Sequence, residues 1–178
     1  VMPAACPEGV PVRLLHAVVR DTILTSPAVT HTCDEAVPRR WCAAWGHPIN
    51  QEDLLGTLLT FSLCVLHALD RLGIPYDPDA GESYMHVWCV VGQILGIDPG
   101  LLPLTRREAE DLATTIFRRQ HAPSAAGRRL MTVLLTEMEL SMPWGLRNVP
   151  RTLVRHLVPP DVADDLAVPG ASWWRPAL

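Results

Sequence analysis

The chain has 178 residues, the length of one domain, and its 48% hydrophobic and 19% charged residues exclude an intrinsically disordered polypeptide. All 15 cationic residues are arginine against 19 acidic ones, giving a net charge of -4. That balance excludes lysine Schiff-base and P-loop chemistry, leaves any anion site to arginine forks, and argues against general nucleic-acid binding.

Turn chemistry divides the chain into helices with few candidate strands. Val12 to Leu24 follows Pro11 and places Leu14, Leu15, Val18 and Val19 along one side, so it reads as a helix. A long proline-containing connection follows, with Trp41, Cys42 and Trp45 as landmarks. Asn50 before Gln51, Glu52 and Asp53 is a cap with acids in the first turn, opening a helix expected to run to Leu72 and stop at Gly73. A second apolar helix should span Asp79 to Leu95 and end at Gly96. Thr105 with Glu108 predicts a capping box for a helix to Gln120, Ser124 caps the segment to Ser141, Asn148 and Pro150 start one through Leu157, and Asp161 to Ala167 is a last short helix. The expected fold is all-α, with two central apolar helices surrounded by amphipathic ones.

Leu54 to Leu69 is 16 mostly apolar residues, short of the ~20 a transmembrane helix needs, so no span is predicted. Five cysteines (6, 33, 42, 64 and 89) are an odd number without C-x-x-C spacing, so neither a zinc ribbon nor a redox pair is indicated. A reducing compartment and, with no leader visible, a cytoplasmic location are expected.

Seven histidines are the candidates for ligand or acid/base work: His16, His31, His47, His67, His86, His121 and His156. His121 and His156 fall at helix C-termini, where an imidazole suits the dipole; His31 and His47 lie in the connection. His16 sits on an apolar helix one turn from Arg13 and Arg20. An imidazole so placed has the form of a proximal haem ligand, although a hydrogen-bonded core histidine has the same pattern. A di-iron bundle needs paired Glu-x-x-His motifs, and the nearest approach is the single Glu82 with His86. Cys6-Pro7 is a style of haem-thiolate contact carried by two residues only. No G-x-S-x-G elbow or Gly-rich phosphate loop occurs.

The segments Val12 to Arg20 and Trp45 to Ser62, the latter containing Asn50-Gln51-Glu52-Asp53-Leu54-Leu55-Gly56-Thr57, resemble the core of the rubber oxygenase (latex clearing protein) and MpaB oxygenase family. The Tyr84-x3-Trp88-x3-Gly92-x3-Gly96 run and the Arg151-x3-Arg155 helix are similar to that family too. The resemblance implies a globin-like helical fold around a b-type haem, with His16 as the proximal iron ligand. Thr57 or Thr60 then falls on the helix whose threonine lies near the haem. Arg13 and Arg20 flank the ligand and are expected to reach the haem propionates. The implied reaction is oxidative cleavage of an apolar unsaturated, isoprenoid-like substrate by O2.

In that family the distal lysine-threonine pair and an upstream glutamate precede the histidine helix. Only 15 residues precede His16 here, and none is lysine. The chain is therefore expected to be the C-terminal part of the catalytic domain, residues 1–178, without the distal wall. The alternative expectation is a helical binding module that kept the fold and lost the chemistry.

Overall fold

The structure, a computed structural model, describes residues 10–25, 41 and 45–170. Among them are eight α-helices and no strand: α1 (Val10–Thr25), α2 (Gln51–Phe61), α3 (Leu63–Arg71), α4 (Pro78–Leu95), α5 (Arg106–Gln120), α6 (Ala125–Leu140), α7 (Val149–Leu157) and α8 (Pro160–Asp165). The all-α expectation holds. Cys6-Pro7, His31, Cys33, Cys42 and the tail with Trp173 and Trp174 lie outside the described residues.

The chain divides into two compact units, residues 1–67 with 76–119, and residues 68–75 with 120–178. In the first, α2 lies on α4. Leu55, Leu58, Leu59, Leu63, Leu66 and Met85 are buried there with Ile97, Leu102 and Ala109. Gly92 makes the close approach possible: a Cβ at that position would sit 3.0 Å from Leu102 Cδ2 and 3.1 Å from Leu58 Cδ2. Gly96, at φ 95°, ends α4 in the left-handed conformation that glycine adopts without a Cβ penalty. Both glycines of the Trp88-x3-Gly92-x3-Gly96 run thus serve the fold.

In the second unit, Leu135 on α6, Ala163 on α8 and Val168 are buried, with Met131, Val154, Val158 and Leu166 packed against them. Arg151 on α7 bonds Glu139 on α6 through Nε at 2.7 Å and through Nη2. Arg155 donates from Nε and Nη2 to the Val168 carbonyl and pairs with Asp164 at 2.8 Å. The Arg151-x3-Arg155 pattern is therefore a structural fastening of this unit.

Several caps form as the sequence predicts. Asn50 Oδ1 accepts from Glu52 and Asp53 N–H, and Asp53 returns the bond to the Asn50 N–H. Ser124 Oγ accepts from Gly127 N–H at 2.9 Å. Thr105 Oγ1 accepts from Glu108 N–H, but the Glu108 carboxylate reaches one residue further back, to Leu104 N–H at 2.7 Å.

Helix α7 opens directly after Asn148 with Pro150 in its first turn and ends at Leu157, as expected, although the Asn148 side chain makes no cap bond. Other expectations need correction. The helix expected from Asn50 to Leu72 is interrupted at Ser62, which lies between α2 and α3 at φ -107°, ψ -80°. Ser62 is buried, and both its N–H and its Oγ donate to the Leu58 carbonyl. That competition for one acceptor bends the helix while satisfying a polar group in the core. The stretch Gln51–Arg71 spans 21 residues at mean hydropathy 1.4, long and apolar enough to cross a membrane by length and composition. Five of its leucines, Leu55, Leu58, Leu59, Leu63 and Leu66, belong to the core just described. Nor are the central helices covered on every side: Phe61, Val65, Val87 and Val90 are exposed.

Candidate functional site

His16, Ile23, Pro48, Ile49, Leu54 and Thr57 line a cavity of about 350 Å³ together with Trp41 and Asp53. Its volume is within the ~300–1,000 Å³ of small-molecule sites, and its walls are mostly apolar, as such sites require. Helix α1 contributes His16 and, two turns on, Ile23. Helix α2 contributes Asp53, Leu54 and Thr57 on one face, since residues three and four apart are neighbours. The segment between the helices supplies the rest. Trp41 is fixed there by a bond from its Nε1 to the Gly46 carbonyl at 2.8 Å and by an edge-on contact with Trp45 at 5.4 Å between ring centroids.

The sequence-predicted residues separate in this geometry. His16 is half-buried and faces the cavity. Thr57 lines it too, its hydroxyl donating to the Asp53 carbonyl at 2.9 Å, which leaves the oxygen lone pairs available as acceptors. Thr60, one turn further, is exposed, is not part of the lining, and donates to the Gly56 carbonyl. Among the described lining residues there is no arginine. Arg20 donates from Nε to the Pro48 carbonyl at 2.8 Å and from Nη2 to the Ile49 carbonyl. The Arg13 guanidinium lies over the end of α4, with Nε 3.3 Å from the position of a Cβ at Gly96. There the partial negative charge of the helix C-terminus favours a cation. Gln51 braces the same corner, donating to the Gly96 carbonyl and accepting from Asp98 N–H.

The remaining histidines have other tasks. His67 Nε2 lies 3.4 Å from Glu110, His121 pairs with Asp165, and His156 Nε2 donates to the Arg71 carbonyl at 2.6 Å. His47 and His86 are exposed. The Glu82 carboxylate of the di-iron alternative accepts from Arg106 N–H, and no group of three potential metal ligands occurs among the described residues. A haem makes a different demand, one imidazole on an apolar surface, and His16 between Ile23, Ile49 and Leu54 fits it.

Sequence reasoning missed Trp41, Ile49 and Asp53 as cavity residues. Trp41 and Trp45 stood out only as landmarks, and Asp53 only as part of a cap. Ile49 has a left-handed backbone at φ 55°, which no local pattern announces for a β-branched residue.

Residues 5–177 match the family described as "ER-bound oxygenase mpaB/B'/Rubber oxygenase, catalytic domain". The chain is also 27% identical over 127 residues to a rubber oxygenase of Streptomyces sp. (strain K30), covering 71% of this chain and 29% of that protein. It thus spans under a third of the length of that curated relative. No solved structure matches it. With the family match running over nearly all of its length, the chain belongs to the mpaB and rubber oxygenase catalytic-domain family.

Proposed function

We propose that the chain forms part of a haem b-dependent oxygenase whose iron is held by His16, and that its reaction is the O2-dependent cleavage of an apolar, double-bonded substrate. The observation that carries the reading is the joint position of His16 and Thr57 in one apolar cavity of a chain that belongs to an oxygenase family. Haem, when bound, supplies the O2 chemistry. The protein's own contribution is to hold the imidazole and shape the apolar walls. Ile23, Ile49 and Leu54 supply those walls; Thr57 offers an oxygen acceptor beside them. Neither arginine expected at the propionates lines the cavity: Arg20 spends two of its five N–H donors on backbone carbonyls, and the Arg13 guanidinium lies over the end of α4.

A second reading, a binding module without chemistry, is favoured by the apolar side chains that α1 leaves uncovered: Leu14, Leu15 and Val18 are each more than half exposed. Titration of the chain with haemin separates the two. A Soret band that is lost or displaced in His16→Ala supports the oxygenase reading. Absence of a band in the wild type overturns it and leaves the binding module.

A further inference from the structure

Helix α1 carries the candidate iron ligand, yet much of its surface is exposed, so its attachment to the first unit decides where His16 points. Among the described residues, both tertiary hydrogen bonds given by α1 side chains come from Arg20, four residues beyond His16 and therefore on a neighbouring strip of the helix. Their acceptors are the carbonyls of Pro48 and Ile49, both of which line the His16 cavity.

Ile49 is held at φ 55°, a conformation that a β-branched residue leaves unless its surroundings over-determine it. Two sets of contacts do so. On one side is the Arg20 fork. On the other is Asn50, which caps α2 with its oxygen and donates from Nδ2 to the His47 carbonyl at 3.1 Å. Pro48, between them, is fully buried.

We propose that Arg20 is a positioning residue for the His16 site: its guanidinium clamps the strained Pro48-Ile49 wall against the helix that carries His16. Its functional meaning rests on the haem reading above; the clamp itself rests on the hydrogen bonds and the backbone of Ile49. A planar fork can serve two adjacent carbonyls at once, whereas lysine presents a point charge that serves one well. Loss of the fork frees Ile49 to relax to an ordinary φ, opening the wall beside the imidazole.

The test is the carbethoxylation rate of each histidine in the haem-free chain, followed by peptide mass spectrometry, in wild type, Arg20→Gln and Arg20→Lys. The expected result is a rise of about fivefold at His16 in R20Q, as losing one net hydrogen bond's stabilisation of the closed form gives, with His86 and His156 unchanged. R20K should restore part of the protection. An unchanged His16 rate in folded R20Q overturns the proposal. So does an equal rise at every histidine, which reports general loosening. If R20Q does not fold, R20K carries the test: a smaller rise confined to His16 supports the clamp, and none overturns it. A haemin titration of the wild type runs alongside. No Soret band together with a selective His16 response in R20Q sinks the haem reading and leaves the clamp standing.

Discussion

His16 on α1 and Thr57 on α2 line the same cavity, while Thr60, three residues beyond Thr57, lies outside it. The two threonines are locally alike, each donating to the carbonyl four residues earlier. Cavity position alone distinguishes them. In the haemin-loaded chain, Thr57→Val should shift the visible spectrum or the rate of O2-dependent oxidation, and Thr60→Val should leave both unchanged. Each substitution should cost less than about 1 kcal/mol in urea unfolding, since both residues are exposed. Equal effects on the spectrum would remove Thr57 from the site.

Two glycines in the first unit and the turn after α3 test different physics by the same substitution. Gly73→Ala meets nothing within 4 Å but holds φ 65°, so about 1 kcal/mol should be lost to backbone strain alone. Gly92→Ala has an ordinary helical backbone and runs into Leu58 and Leu102 in the core, costing roughly 1–3 kcal/mol. Trimming Leu102 to Ala should reduce the additional cost of G92A and leave that of G73A unaltered. Urea midpoints of the three single variants and the two doubles with L102A decide it.

The Arg151–Glu139 pair joins α7 to α6 with both side chains mostly shielded from water, 29% and 20% exposed. Double-mutant cycles with R151A and E139A should give a coupling of about 1 kcal/mol, above the value of many exposed pairs. Raising salt from low to molar concentration should shrink it only in part, because shielded pairs are screened less. A coupling near zero would reassign the stability of this unit to its apolar contacts.

Cys89 is partly buried, and its Sγ donates to the Pro103 carbonyl at 3.2 Å. Burial raises the thiol above its ordinary value. The folded state therefore binds the proton more tightly than the unfolded one. Its contribution is fully present below the ordinary thiol pKa and is lost as pH rises past about 8.5 toward the raised value. Stability of the wild type should fall with pH in that alkaline window, and Cys89→Ala should flatten the fall. Iodoacetamide should also alkylate native Cys89 at pH 8 more slowly than a free model thiol. Alkylation at the model rate would contradict the burial argument.

Much of the fold is legible because local chemistry determines it. Asn50, Ser124 and Gly96 carry their helix ends in their own side chains and backbone preferences, and each acts as the sequence leads one to expect. The break at Ser62 is different. A serine that bonds the fourth preceding carbonyl is indistinguishable in sequence from Thr57 and Thr60, which do the same without interrupting α2. What differs is burial, a tertiary property. The apolar faces of α2 and α4 read as fully enclosed because hydropathy reports what a side chain prefers, not what is present to cover it. At the site, His16 stands out by its apolar surroundings, but the engagement of Arg20 with Pro48 and Ile49 joins residues 28 and 29 positions apart. Nothing in the spacing of arginines around a histidine distinguishes a fork aimed at a ligand from one aimed at backbone carbonyls.

The most direct test of the central claim is the optical titration of the purified chain with haemin, compared with His16→Ala and with His16→Ala supplemented by free imidazole. The account expects a saturable Soret band in the wild type, its loss or displacement in the variant, and its return with imidazole, because the small ligand fills the space left by the missing ring. A wild type that gives no Soret band, or one that His16→Ala leaves unchanged, would contradict it.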